Sequence, residues 1–264
     1  NNFHRACELV RNGVIGKINK VEVGLPYGGS GPHGGKSQGW SPEPIPDGLH
    51  YDFWLGNAPR APYHNLRVHW DWRWILDYSG GQLTDWAGHH IDIAQWGMGR
   101  ERTGPVRVQG EGKYPDDGLW NTPYSYKFRC EYREGAPIIV ADNRRFDQGV
   151  RWYGEDGSVF VRRGVLQADP PEILNEKLGP NDVHLYNSPG HKQNFLNCIR
   201  TRRQTVAPIE IGHRSISVGL LGEIAMLTGR KIEWNPDTEE IIDDPKASAL
   251  LGRSYREPWN LPLD

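Results

Sequence analysis

The run Gly80-Gly81-Gln82-Leu83-Thr84-Asp85-Trp86-Ala87-Gly88-His89-His90-Ile91-Asp92-Ile93-Ala94-Gln95-Trp96 brings two carboxylates, imidazoles and indoles to helical spacing. At about 100° per residue with Asp85 as zero, His89 falls at about 40°, Asp92 at about −20° and Trp96 at about 20°. These four residues therefore share one stripe. An imidazole flanked by carboxylates has its protonated form stabilised and its ring fixed. Asp85 and His89 are thus candidates for general acid or base work on a sugar hydroxyl, with Asp92 and Trp96 beside them as substrate contacts. A structural His–Asp pair on an exposed polar face fits the same spacing equally well.

The same stripe offers metal-type ligands at i, i+4 and i+7, with His64, His69, His184 or His191 as an outside donor. Three ligands on one helix rarely converge on one ion, so the site is read without a metal. Around the other side run Ala87, Ile91, Ala94 and Met98, small and apolar, the face such a helix lays on a sheet. His90, at about 140°, lies nearer that side and reads as packing.

A second concentration of rings and donors spans residues 51–74, YDFWLGNAPRAPYHNLRVHWDWRW. The chain holds 11 Trp and 11 Tyr against 6 Phe, a balance that favours flat rings with a polar handle, suited to stacking on the C–H faces of pyranoses. Tyr63, Trp72 and Arg73 are candidate substrate contacts here, and His213, opening a later helix, is another; core or surface packing fits each of them as well.

The elements that must position these groups are legible in part. Residues 5–13 read as the end of an amphipathic helix closed by Gly13, and residues 18–25 alternate like a strand. A long Gly/Pro/Ser-rich loop covers residues 26–48. The spacing predicts a helix over residues 84–97, and strands over 105–113, 124–133, 137–144, 150–154 and 158–162. Hairpin signals stand at Glu134-Gly135 and Glu155-Asp156-Gly157. Helices follow over 191–203 and 211–229, then a short one over 244–251, and the end from Trp259 is expected to drape over the body. Consecutive strands with tight turns imply an α+β fold: an open, predominantly antiparallel sheet with helices packed on one face. One domain is expected across residues 1–264, with 235–264 as an extended tail.

With 31 basic and 33 acidic residues in 264, the formal charge of −2 gives no field for nucleic acid or anionic lipid. Cys7, Cys130 and Cys198, odd in number and far apart, read as packed thiols. No apolar run reaches a membrane span and no signal-peptide pattern opens the chain, so a cytoplasmic protein is expected, without membrane or nucleic-acid partners. The glycines at 28–35 lack the strand–turn–helix context of a dinucleotide loop.

Several segments, RACELVRNGVIGKI, FWLGNAPRAPYH, WDWRWILDYSGGQLTDWAGHHIDIAQWGMG, HKQNFLNCIRTRRQTVAPIEIGHRS, GRKIEWNPDTEEI and YREPWNLP, together resemble the glucose-fructose oxidoreductase, inositol dehydrogenase and MocA (Gfo/Idh/MocA) family in its long-tailed form. The resemblance implies an open sheet that binds substrate and pairs between subunits as a homodimer or homotetramer. In the family an N-terminal Rossmann domain holds NAD or NADP and supplies the lysine of a Glu-Lys-Pro motif. The family's Asp-x3-His pattern falls on Asp85 and His89, the histidine resembling the one that takes the substrate hydroxyl proton. No Glu-Lys-Pro precedes the first helix, which makes residues 1–16 read as the remnant of a connection from a nucleotide domain absent here, and this chain alone is expected to bind no cofactor.

Three functions fit. One is the substrate half of an NAD(P)-dependent sugar or polyol oxidoreductase. A second is a glycosidase acting on β-glycosides by acid/base or redox-assisted cleavage, with Asp92, Asp71 or Asp77 as the partner of Asp85. The third is a non-catalytic sugar-binding or assembly module, for which an apolar exposed sheet face would speak.

Overall fold

Strand β1 (Ile18–Leu25) shows why the sheet forms where it does: Val21, Val23 and Leu25 are fully buried, while Lys20 and Glu22 point the other way into partial exposure. The same alternation buries Tyr126, Phe128 and Cys130 of β3 (Ser125–Glu131) and exposes Lys127 and Arg129 between them. In this computed structural model, which describes residues 1–28 and 39–259, nine strands form one open sheet. The others are β2 (Arg107–Lys113), β4 (Ile138–Asp142), β5 (Gly149–Gly154), β6 (Ser158–Arg162), β7 (Val165–Asp169), β8 (Ile232–Asn235) and β9 (Glu240–Ile241).

Their order is β7-β6-β5-β1-β4-β3-β2-β8-β9, and every pairing is antiparallel except β1 with β4. Both expected hairpins form, β3 with β4 and β5 with β6. Reading neighbours along the sequence would have paired β4 with β5 as well. Instead β1 lies between them, Val21 opposite Ile138 on one side and Trp152 on the other.

Helices α1 (Asn2–Arg11), α3 (Gly81–Met98) and α5 (Ile209–Thr228) cover one face. Ala87, Ile91 and Ala94 of α3 are completely buried against it. Burial pushes the thiol pKa of both Cys7 and Cys130 upward. The Cys7 thiol donates to the Ile93 carbonyl at 3.7 Å, tying α1 to α3. Among the described residues the opposite face carries a run of ion pairs. Arg107 bridges Glu131 (2.9 Å) and Glu233 (2.8 Å), Glu131 also meets Arg129 (3.2 Å), Arg145 meets Glu111 (2.9 Å), and Lys20 meets Glu22 (2.7 Å).

Beside this body, α2 (Tyr51–Leu55) and two short 3₁₀ turns, Asn65–Arg67 and Asp71–Trp74, carry the aromatic segment. It builds two small cores of its own, one of Tyr51, Leu55, Tyr63 and Val68, the other of Trp74, Ile75, Leu119 and Trp120. The tail does return to this region: Arg256 pairs with Asp52 at 2.9 Å, and the rings of Phe53 and Trp259 lie 5.4 Å apart. The glycine cluster through residue 35 and the last five residues fall outside the described part, apart from Gly28. Helix α4 (His191–Thr201) forms as expected, but its apolar stripe is not buried: Phe195, Leu196 and Ile199 are all exposed. After β9 the described chain forms a short helix, α6 (Pro245–Ser248), started by the Asp244 side chain accepting from Ala247 N–H at 3.1 Å.

Asp142 shows how polar ends of strands are secured. It is fully buried and accepts from Ser125 Oγ (2.8 Å), Tyr126 N–H (2.9 Å) and Arg144 N–H (3.1 Å). Asp142→Ala strands the buried Tyr126 amide, and a loss of about 1–3 kcal/mol in urea denaturation is the expected result; an unchanged midpoint would mean that water replaces the carboxylate.

Candidate functional site between helices α3 and α5

Helix α3 begins one turn earlier than its pattern predicts, at a glycine pair. Gly81 has φ +64°, and a Cβ there would stand 2.5 Å from Thr122 Oγ1, so no other residue turns the chain so sharply against that loop. The Thr84 hydroxyl accepts from Gly80 N–H at 3.0 Å and helps start the helix. At the far end Gly99, at φ +68°, closes it.

Held this way, the polar stripe of α3 divides in two. Asp85 and His89 are exposed, one turn or about 6 Å apart along the axis. Asp92 and Trp96 are half-buried instead. The Ser215 hydroxyl of α5 donates to Asp92 Oδ1 at 2.6 Å, and burial raises the Asp92 pKa against the opposing pull of that bond. Trp96 lays its ring edge-on to His4 of α1 at 5.9 Å. Both serve the packing of α3 against its neighbouring helices. His90 does pack: it is 2% exposed, its Nδ1 donates to Gly24 O at 2.9 Å, and burial lowers its pKa. Trp86, between the histidines, stacks edge-on with His89 at 5.5 Å and carries Arg163 over its ring at 4.9 Å.

The structure brings Arg73 to Asp85. The 3₁₀ turn Asp71–Trp74 is anchored by the buried Trp74 and places Arg73 Nε 3.5 Å from Asp85 Oδ1. The guanidinium lies over the rings of Trp70 (4.2 Å) and Trp72 (5.2 Å). Trp70, 57% exposed, is the indole with most free face here, and nothing in its spacing set it apart from Trp72.

Two candidates are not brought to this place. Tyr63 is 7% exposed inside its aromatic core, edge-on to Tyr51 at 5.2 Å. His213 lies outside the cleft described next, its Nε2 2.7 Å from Glu239 Oε1. Among the described residues no three His, Cys, Asp or Glu side chains are grouped to hold a metal ion, and no helix is long and apolar enough to cross a membrane.

Beside Asp85 opens a cleft of about 540 Å³. Its walls are Asp77, Tyr78, Ser79 and Gly80 ahead of α3, Thr84 and Asp85 on the first turns of α3, Ile216, Leu220 and Glu223 on α5, together with Asn57 and Arg253. A polar wall facing two apolar side chains suits a molecule with hydroxyls on its rim and C–H groups on its face. Glu223 is the residue sequence reasoning missed, and its one signal was a carboxylate inside the apolar run Leu220-Leu221-Gly222-Glu223-Ile224-Ala225. Burial pushes its pKa from 4.5 up to about 7, with Arg253 pulling the other way. Since the proton is bound more tightly in the folded chain, its stabilising contribution is full below about 4.5 and is lost as pH rises through about 7.

The Gfo/Idh/MocA oxidoreductase family model for the C-terminal alpha/beta domain matches residues 3–261. No curated protein matches the chain in sequence. Among solved structures the fold is similar to that of the WlbA dehydrogenase from Bordetella pertussis in complex with NADH and UDP-GlcNAcA, at 15% identity and TM-score 0.55 over 89% of this chain and 61% of that one. It is similar also to an aldose-aldose oxidoreductase from Caulobacter crescentus complexed with glycerol, at 16% and 0.54 over 88% and 60%. GenD2 from gentamicin A biosynthesis, in complex with NAD, matches at 14% and 0.53 over 89% and 60%. Likeness at these identities is one of fold, and the chain spans no more than 61% of the length of these three structures.

A dinucleotide is held where a strand turns through glycines into a helix whose first amides take the pyrophosphate. Among the described residues no strand leads through such a turn into a helix: α3 follows a 3₁₀ turn and a loop, and α5 follows Pro208. These residues do not fit the cofactor's phosphates.

Proposed function

Because the chain belongs to the Gfo/Idh/MocA oxidoreductase family, as its C-terminal alpha/beta domain, we propose that it forms the substrate side of an oxidoreductase acting on a sugar or polyol. The observation that carries this reading is the exposed pair Asp85 and His89, one turn apart on α3, with Asp85 lining a cleft that has polar walls and two apolar side chains. The His89 imidazole takes the proton of the hydroxyl on the carbon being oxidised. Asp85, fixed from the side by Arg73, accepts a hydrogen bond from a neighbouring hydroxyl. Trp70 offers a flat apolar face next to that arginine. NAD in one fold relative, NADH with a sugar nucleotide in another and glycerol in a third support this assignment of classes. The hydride that leaves the same carbon has no acceptor among the described residues, so the reading gives them the substrate and its proton only.

Histidine-selective NMR tests this without any turnover. On addition of glucose or glycerol, the His89 ring resonance, identified by its loss in His89→Ala, is expected to move while that of His213 stays. Movement confined to His213 or to other distant imidazoles would place the ligand elsewhere, and no movement at all would remove the sugar reading.

A further inference from the structure

Glu223 does not need the family to be understood, and the reaction drawn above does not use it. Its side chain is 7% exposed, it lines the cleft, and its Oε1 has no hydrogen-bond partner among the described residues. A buried polar atom in that state costs about 1–3 kcal/mol. A buried carboxyl that lines a cleft and has an oxygen left unpartnered marks a place where a ligand can complete the bonding. The Tyr114 hydroxyl is a second buried atom without a partner among the described residues, close enough for the Glu223 charge to oppose its ionisation. Room for the carboxyl is made by Gly80, where a Cβ would stand 2.7 Å from Glu223 Oε2.

We propose that this cleft is a hydroxyl-binding subsite in which the protonated carboxyl of Glu223 donates a hydrogen bond to an inner oxygen of a sugar or polyol. The inference rests on the sugar reading above and deepens it by naming the group that grips the substrate's inner end. A carboxylic acid has one donor and a free acceptor, the same complement as a hydroxyl, so the pair can exchange two hydrogen bonds. Ile216 and Leu220 meet the ligand's C–H face. An anionic ligand would face Asp77 and Asp85, and a wholly apolar one would leave Oε1 unsatisfied. Arg253 is the cationic side chain on the cleft, and it donates to the Leu76 carbonyl rather than to Glu223. Burial keeps the proton on Glu223 up to about pH 7.

Calorimetric titration of the protein with glucose and with glycerol across this pH range provides the test. Affinity is expected to be level below about pH 7 and to fall up to about tenfold per pH unit above it as the donor is lost. Glu223→Gln keeps a donor at every pH, so it should bind with no break; Glu223→Leu should also show no break and should bind about tenfold more weakly than the native protein below about pH 7, the worth of a well-placed hydrogen bond. Asp77→Asn should retain the break, since the charge facing Glu223 across the cleft does not create it. Affinity that is flat with pH and indifferent to Glu223→Leu, with the His89 resonance still moving, overturns this subsite and leaves the sugar reading standing. Glu223-dependent binding with a silent His89 does the reverse. Affinity for these neutral ligands that rises above about pH 7 would mean that their hydroxyls donate to the carboxylate instead of accepting from the acid, and would overturn the proposal; absence of binding under all conditions sinks both.

Discussion

His89→Ala is expected to lower kcat/KM for polyol oxidation by about 10²–10⁴, or about 3–5 kcal/mol of transition-state stabilisation, with a much smaller change in KM. The size follows from the role: a positioned base matters most when the proton is in flight, and a residue that merely fills space on an exposed helix face shifts stability by no more than about 0.5 kcal/mol. His89 is exposed, and its described ring contact is edge-on with Trp86 at 5.5 Å. Little folding energy is therefore at risk, and a fall in rate cannot be put down to unfolding. Initial rates followed by nicotinamide absorbance in a protein that joins this chain to a nucleotide-binding domain, beside a thermal melt of the same variant, separate the two. Unchanged rates would end the case for His89 as the base, and so would a loss that tracks a lowered melting temperature.

Asp85→Asn offers a useful contrast within that experiment. The Arg73–Asp85 contact is 3.5 Å long between partly exposed groups, a geometry that contributes little stability by itself. What the pair provides is position: Arg73 is held over the rings of Trp70 and Trp72, and it meets the carboxylate of a residue that lines the cleft.

What the sequence revealed and what it hid divide along physical lines. Helix α3 was legible because one of its faces is buried on a sheet, which imprints a 3.6-residue period on Ala87, Ile91 and Ala94. The strands were legible for the corresponding reason, with period two. The insertion of β1 between β4 and β5 was not, because pairing between residues more than a hundred positions apart leaves no local trace; Val21 carries no mark that it will sit beside Ile138. The late strands β8 and β9 are too short to show alternation.

The candidate site divides similarly. Asp85 and His89 were found because both lie on one helix, where spacing fixes their relation. Glu223 and Arg253 come from separate elements and meet on the cleft only through tertiary packing. On the other side, Asp92 and Trp96 had the right angle but lie deeper along α3, where Ser215 and His4 cover them. A helical wheel reports the direction of a side chain and says nothing of what stands in front of it.

Trp152 is the wall that holds α3, and with it His89, in place. It is fully buried in β5, opposite Val21 on one side and Val159 on the other, and its indole N–H points to the Ala94 carbonyl at 3.4 Å. Gly97 of α3 lies directly on the ring, where a Cβ would come within 2.6 Å of Cζ2. Trp152→Ala should therefore lower stability by about 3–5 kcal/mol, since it removes the largest fully buried side chain and leaves a void under a helix that cannot collapse far. Against a total of about 5–15 kcal/mol this is a large share. Urea denaturation followed by circular dichroism measures it. The cause is separable from mere loss of area by a second substitution: Gly97→Ala should destabilise the native chain, where the new methyl meets the indole, and should be neutral or stabilising once Trp152 is alanine, where it enters the void. If Gly97→Ala has the same effect in both backgrounds, Trp152 is not what fixes the height of α3 above the sheet, and the position of His89 must be attributed to the contacts of α5 and α1 instead.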